Sequence, residues 1–212
     1  MRAHVIIASR GGLQAKSRLA PSLGASDREA LVEAMLADML AVFRGRADVD
    51  SLSVVTPTPR LIRLAERAGA RAIVQFGEGL NEAFAQARRT LTAEGPRAML
   101  LLLPGDLPRL QVTDVEACLS GAGQGRVVIA PTADGGTGAL AIEAAAAFPF
   151  RFGPGSGARH VSAAHSCGLE ARVISTPGLS FDLDRPEDLA LVRTGPAGSR
   201  TTALLRRWRA AA

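Results

Sequence analysis

Six apolar residues in a row, Ala98 to Leu103, run directly into Pro104-Gly105-Asp106-Leu107-Pro108. A strand with one wet face alternates apolar and polar side chains, so an unbroken apolar run of this length reads as a strand covered on both faces. Such strands belong to parallel sheets flanked by helices, and the rest of the chain carries that alternation. His4–Ala8, Leu52–Val55, Arg71–Val74, Val127–Ala130, Gly138–Ile142 and Ala171–Ile174 read as further strands. Between them, Leu31, Met35, Leu36, Met39, Leu40 and Phe43 recur at helical spacing behind a cap at Ser26-Asp27-Arg28-Glu29. More helices are expected over Arg60–Ala68, Leu80–Leu91, Val112–Leu119, Ser156–Cys167 and Pro186–Val192. The fold class is therefore α/β, a three-layer sandwich around an open, mostly parallel central sheet.

The pattern asks for a single domain over residues 1–195, with no internal repeat. Residues 196–212 read as a basic C-terminal tail: a Gly/Pro/Ser stretch, then a short amphipathic helix. Its apolar face of Leu204, Leu205 and Trp208 can dock on the body, or on a second subunit to give a homodimer.

The chain is 47% hydrophobic but only 4% aromatic, so its core is aliphatic and alanine-rich. The formal charge of +5 is spread along the chain, apart from a cluster at Arg200, Arg206, Arg207 and Arg209. That is a solvated surface with a basic tail, or an attraction for phosphate-bearing ligands. No RNA-binding aromatic motif or zinc-finger spacing accompanies it, so nucleic acid is not an expected partner. Cys118 and Cys167 lack metal-type spacing and read as reduced thiols of a cytoplasmic protein. The apolar runs Val5–Ala8 and Leu100–Leu103 are too short for a signal peptide or a membrane span. Lys16 is the only lysine and Asn81 the only asparagine, and there is no tyrosine. A coding bias against AT-rich codons would produce this pattern. Under it, a surviving Lys or Asn is a candidate for chemistry that Arg or Asp cannot do.

Open α/β sheets bind ligands beyond the carboxyl ends of their strands. The first such loop is Ser9 to Leu19. Its Gly11-Gly12 pair exposes backbone amides and Lys16 adds a point charge, which together suit the phosphates of a nucleotide; a plain glycine turn with an exposed lysine is the other reading. It is not a P-loop, because Arg10 and Ala15 stand where that motif needs glycine. Asp106 follows the central strand, held between prolines. A hard cation such as Mg²⁺ needs one or two such carboxylates plus substrate phosphates, although a turn or N-cap aspartate looks the same in sequence. In extended geometry Asp182 and Asp184 share a face and can complete that metal site; equally, Asp184 can cap the helix after Arg185. Two more glycine-rich loops, Asp134 to Gly138 and Phe152 to His160, are turns and caps or anion sites. The second offers helix-terminal amides, Ser156, Arg159 and His160. Ser156 is no nucleophile elbow, because Pro154 and Ala158 replace that motif's glycines. His4 reads as structural and His165 as exposed.

Taken in order, several of these segments resemble the 2-phospho-L-lactate guanylyltransferases of deazaflavin coenzyme biosynthesis. The matching stretches are Ala15-Lys16-Ser17-Arg18-Leu19, Val54-Val55-Thr56-Pro57, Gly79-Leu80-Asn81, Leu103 to Pro108, Gly135-Gly136-Thr137, Phe152 to Ser156, and Asp182 to Leu189. The resemblance implies a GT-A-like nucleotidyltransferase fold, GTP as donor, and 2-phospho-L-lactate, phosphoenolpyruvate or 3-phosphoglycerate as acceptor. It implies catalytic roles for Lys16 and Asp106, with Mg²⁺ on Asp106, Asp182 and Asp184. Thr56, Pro57, Gly79, Asn81 and Pro104 would join Gly11, Gly12 and Lys16 on the nucleotide, Asn81 near the guanosine. Thr137, Gly153 and Ser156, with His160, would take the acceptor. Two places depart from the family pattern. The first loop has Ala8-Ser9-Arg10-Gly11-Gly12 in place of a Val-Lys-type segment, and its Gly-Gly pair is also similar to the molybdopterin nucleotidyltransferases. Gly138 stands where asparagine is usual. The other readings are a different nucleotidyltransferase, a GT-A glycosyltransferase and a catalytically silent nucleotide-binding protein.

Overall fold

The computed structural model describes residues 3–94, 98–194 and 199–211. The strands are β1 (Ala3–Ala8), β2 (Val49–Thr56), β3 (Arg71–Val74), β4 (Met99–Pro104), β5 (Arg126–Pro131), β6 (Thr137–Glu143) and β7 (Glu170–Val173). The helices are α1 (Ala25–Val42), α2 (Pro59–Arg67), α3 (Gly79–Glu94), α4 (Val112–Gly121), α5 (Ser156–Ser166), α6 (Asp188–Arg193) and α7 (Arg200–Ala211). One sheet holds all seven strands in the order β3-β2-β1-β4-β6-β5-β7. Every pairing is parallel except those of β6, which runs against both β4 and β5. The α/β sandwich expected from the pattern is the fold that forms.

Its three layers follow from alternation along the inner strands. Val5 and Ile7 of β1 and Leu101 and Leu103 of β4 pack with Leu31, Met35 and Met39 of α1 on one face. Ile6, Ala8, Leu100 and Leu102 pack with Phe84 of α3 and Ala164 of α5 on the other. Because both sets are buried, neither Val5 to Ala8 of β1 nor Met99 to Leu103 of β4 has a polar position, which is why the sequence shows no alternation there. The expected Met and Phe of the first helix lie in this core.

Some boundaries move. The first helix starts at Ala25, and its N-cap is Gly24, with no side-chain cap bond, so Ser26 lies inside the helix. The helix expected from Pro186 starts at Asp188. There the Asp188 carboxylate accepts the N–H groups of Asp184 at 3.0 Å and Arg185 at 2.7 Å. The alternative reading of Asp184 as the N-cap of this helix does not hold, since Glu187 is the N-cap and the Asp188 carboxylate ties down the loop before it.

Strand order reverses between β1 and β4, because the chain leaves β1 toward β2 on one side and returns to β4 on the other. This switch point opens a crevice at the carboxyl edge of the sheet. The antiparallel β6 brings its first residue, Thr137, to the same edge, opposite Pro131.

Helix α7 lies on α1. Asp38 of α1 accepts Ser199 Oγ at 2.7 Å and the N–H groups of Arg200 and Thr201 at 2.8 Å each. Leu205 is fully buried and Trp208 packs against the same core. The apolar face of the tail docks on the body of its own chain. The Gly195–Gly198 stretch before it lies outside the described residues. No described helix is long and apolar enough to cross a membrane.

Asp38 satisfies the first donors of α7, so Asp38→Ala should lower stability by about 1–2 kcal/mol. Urea unfolding measures that loss. Trp208 is the only tryptophan, and its emission should shift to the red as α7 loosens; an unshifted spectrum with an unchanged midpoint would remove Asp38 from this role.

Candidate active site

The crevice is built where β4 leaves the sheet. Gly105 donates its N–H to the Ala8 carbonyl at 2.8 Å. A Cβ on Gly105 would stand 2.5 Å from the Ser9 Cβ, so only glycine lets the two strand ends approach this closely. Asp106 then meets the loop that follows β1. Lys16 Nζ donates to Asp106 Oδ2 at 2.6 Å and lies 3.5 Å from Asp184 Oδ1, while Arg18 pairs with the other Asp184 oxygen. Lys16 reaches this point from a left-handed backbone, φ 50°, alone in that region among the described non-glycine residues. The Leu183 N–H donates to the Asp106 carbonyl at 3.1 Å and ties the second acidic segment to the first.

The electrostatics follow from this crowding. Burial alone would favour neutral Lys16, but the carboxylates of Asp106, Asp184 and Asp182 outweigh it and raise its pKa. Asp182 is pushed up to about 6, first by burial and then by the like charges of Asp106 and Asp134. Asp134 is held below the usual carboxylate range by the Thr132 hydroxyl at 2.5 Å and the Gly136 N–H at 3.0 Å. Among the described residues, no group of three or more His, Cys, Asp or Glu stands ready to hold a metal unaided.

Lys16, Asp106 and Asp184 stand between two cavities. One, of about 590 Å³, is lined by Arg10, Gly11, Gln14, Lys16, Ser17, Arg18 and Asp184 and is strongly cationic. The other, of about 210 Å³, is lined by Pro104, Asp106, Asp134, Thr137, Gly138, Gly153 and Asp182. A smaller space under Ser9, Lys16 and Leu80 also touches Asp106.

Behind the second cavity runs a buried polar chain. His160 Nε2 accepts the Arg151 N–H at 2.9 Å, so the ring proton sits on Nδ1 and is donated to Thr137 Oγ1 at 3.0 Å. Thr137 Oγ1 lies 2.8 Å from Ser156 Oγ. Burial, and then the positive charges of Arg159 and Arg151, lower the His160 pKa to about 4. Of the four residues expected around an acceptor, Thr137 and Gly153 line the cavity. Ser156 and His160 are fully buried one layer behind.

The other expected residues divide similarly. Gly11 lines the cationic cavity and Pro104 the smaller one, while Gly12 lies on the first loop. Thr56 is buried at the end of β2, its hydroxyl accepting the Thr58 N–H at 3.2 Å; Pro57 is exposed beside it. Gly79 opens α3. Asn81 bonds the backbone of Phe152 on both sides, Nδ2 to its carbonyl at 3.1 Å and Oδ1 from its N–H at 2.7 Å. The lone asparagine therefore straps α3 to the loop of Gly153. The sequence reading gave Arg18, Asp134 and Arg28 no role. Arg18 lies two residues after the lone lysine and Asp134 within a glycine-rich turn, and neither spacing marks a role. His4 bonds Ser51 and His165 is exposed, as expected.

A family model described as "Guanylyl transferase CofC like" matches residues 3–211. The chain belongs to this family. It is 46% identical to the 3-phospho-D-glycerate guanylyltransferase of Phenylobacterium zucineum (strain HLK1), covering 98% of this chain and 99% of that one. It is 43% identical to the phosphoenolpyruvate guanylyltransferase of Rubrobacter xylanophilus, covering 83% and 86% of the two chains. Among solved structures it superposes on a Desulfovibrio desulfuricans G20 protein described as a nucleotide-diphospho-sugar transferase, with a TM-score of 0.81 at 20% identity over 99% of this chain and 96% of that one. At that identity the likeness speaks for the fold, which is the nucleotidyltransferase fold. As a member of this family the protein is an enzyme, a nucleotidyltransferase.

Gly138, the departure from the family pattern, has a physical reason. A Cβ there would lie 2.0 Å from the Leu179 carbonyl oxygen, on the segment that leads to Asp182. Gly138→Ala should therefore cost about 1–3 kcal/mol by overpacking; a calorimetric melt equal to wild type would show that the segment yields freely. His160 gives a pH signature. Its folded pKa lies below that of an unfolded histidine, so its share of stability is full above pH about 6.5 and is lost as pH falls toward about 4. The stability gap between wild type and His160→Phe should narrow over that window in urea melts. A constant gap would mean that His160 is charged in the native state.

Proposed function

We propose that the protein transfers the guanylyl group of GTP to 3-phosphoglycerate, with phosphoenolpyruvate as the second acceptor to test, and releases pyrophosphate. The observation that carries this reading is the junction of two unlike cavities at Lys16 and Asp106. The larger and cationic one suits a triphosphate. The smaller one, with the Thr137 hydroxyl and the loop at Gly153, suits a small phosphorylated acid. The choice of acceptor leans on the relatives: one that is 46% identical bears the phosphoglycerate name, and several at 33% to 43% identity bear the phosphoenolpyruvate name. The resemblance to the deazaflavin-coenzyme enzymes makes that pathway, in the cytoplasm, the expected setting.

The acceptor phosphate is ionised at neutral pH, so its oxygen can attack the α-phosphorus without a general base. One P–O bond forms there, the bond from the α-phosphorus to the bridging oxygen breaks, and pyrophosphate leaves in line. Lys16, with its raised pKa, stays charged and draws the phosphates in; Arg18 and Arg10 add charge on the leaving-group side. Thr137 holds the acceptor, with Ser156 and His160 fixing its hydroxyl from behind. The residues also fit a magnesium ion. Asp182 has a raised pKa, first because it is buried and then because Asp106 and Asp134 crowd it, so the carboxylate set can use added positive charge. Asp106 with Asp182 or Asp184 would hold it, since a hard cation needs only one or two carboxylates when substrate phosphates complete its shell. Bound there, Mg²⁺ would neutralise charge on the transferring phosphoryl group.

Pyrophosphate release should appear only when GTP, Mg²⁺ and 3-phosphoglycerate or phosphoenolpyruvate are all present. Asp106→Asn should lower kcat by about 10²–10³-fold, with an unchanged circular dichroism spectrum. Release of a nucleoside diphosphate, or turnover with CTP but not GTP, would overturn the proposal.

A further inference from the structure

The loop that presents Lys16 is held from beneath by one side chain. Arg28, in the first turn of α1, is 9% exposed and donates to three backbone carbonyls, two in that loop and one at Leu23 just before the helix. Nε bonds Ala15 O at 3.0 Å, and the two terminal nitrogens bond Leu13 O and Leu23 O at 2.8 Å each. No carboxylate lies within ion-pair distance of it among the described residues. A cation in the first turn of a helix also faces the positive end of the helix dipole, the least favourable place for one. Charge alone therefore does not account for its position; the three-way contact does.

The contact sets the direction of the loop's amides. In a trans peptide the C=O and the following N–H point opposite ways. With the carbonyls of Leu13 and Ala15 turned down onto Arg28, the N–H groups of Gln14 and Lys16 face away from it. No described residue accepts from either amide. Gln14 and Lys16 also line the cationic cavity. The same clamp holds the carbonyl of the peptide that enters Lys16, whose backbone stands at φ 50°. A lysine relaxed out of that conformation would carry Nζ away from Asp106. Two outward amides, a lysine and an uncompensated guanidinium below them make one anion-binding nest.

We infer that Arg28 is the positioning residue of the donor-phosphate loop: it turns the Gln14 and Lys16 amides onto the phosphates and keeps Lys16 in its left-handed conformation. This rests on the proposed placement of the donor phosphates against that loop. It never touches the reacting atoms. Its effect is therefore confined to the donor, while Thr137 and the turn at Gly153 bind the acceptor unchanged.

The test compares wild type with Arg28→Met and Arg28→Lys. GTP affinity is read by calorimetry, and KM for GTP and for 3-phosphoglycerate by pyrophosphate release. Arg28→Met should raise Kd and KM for GTP about tenfold while the acceptor KM stays within about twofold. Arg28→Lys keeps the charge but not the three-pronged fork, and should fall between the two. Unchanged GTP binding in a folded Arg28→Met protein, or equal loss for both substrates, would overturn the inference. If Arg28→Met does not fold, Arg28→Lys decides: a GTP-only defect upholds it, and wild-type constants overturn it. Should wild type itself fail to bind GTP, the proposed reaction falls first, and the two failures are told apart.

Discussion

The structure turns on the contact between Lys16 and Asp106. It spans the point where strand order reverses, so it joins a loop from β1 to a loop from β4 that the sheet alone would leave apart. Each partner needs the other. Burial alone would lower the pKa of Lys16, and the carboxylates reverse that; burial and like charges raise Asp182, and the charge of Lys16 partly offsets them. Much of the surrounding backbone serves this contact. Gly105 lets β4 approach β1, Leu183 ties the second acidic segment to Asp106, and Asp188 pins the loop behind Asp184.

A site of this kind is soft in charge and stiff in shape. In the proposed reaction its counter-ions are exchanged, with donor phosphates taking the place of Asp106 as the partner of Lys16. The walls do not follow, because they are strand ends and capped turns locked by main-chain bonds. In the proposed reaction the donor side is a loop clamped on a helix, and the acceptor side is a hairpin turn backed by the neutral His160 and the Asn81 strap.

The fold was legible because its strongest signal is a hydrophobic run, and burial on two faces leaves no other reading for Ala98 to Leu103. Asp106 was legible for the same reason: a carboxylate directly after such a strand lies at the ligand edge. The roles of single polar side chains were harder. Asn81 stood out by rarity, but rarity does not say that both ends of an amide bond one backbone residue. Ser156 and His160 read as cavity groups, and the structure puts Thr137 in front of them. Arg28 was passed over as part of a cap. Its partners are carbonyl oxygens, which every residue has, so nothing in their sequence marks them. The helix boundaries at Gly24 and Asp188 were missed because backbone geometry and a reaching carboxylate set them, not the residue types read at Ser26 and Pro186.

The antiparallel course of β6 has a consequence for how such an enzyme can diversify. A parallel neighbour of β4 would have to be reached through a crossover long enough to pass over the sheet. A hairpin needs only a turn, and the turn at Asp134 to Gly136 faces the smaller cavity while its two strands are fixed in the core. Residues can be exchanged, added or lost at that tip without re-threading any helix. Under the proposed assignment of the two cavities, acceptor selectivity is thereby uncoupled from the framework that handles the nucleotide, and one half of the reaction can drift while the other stays constant.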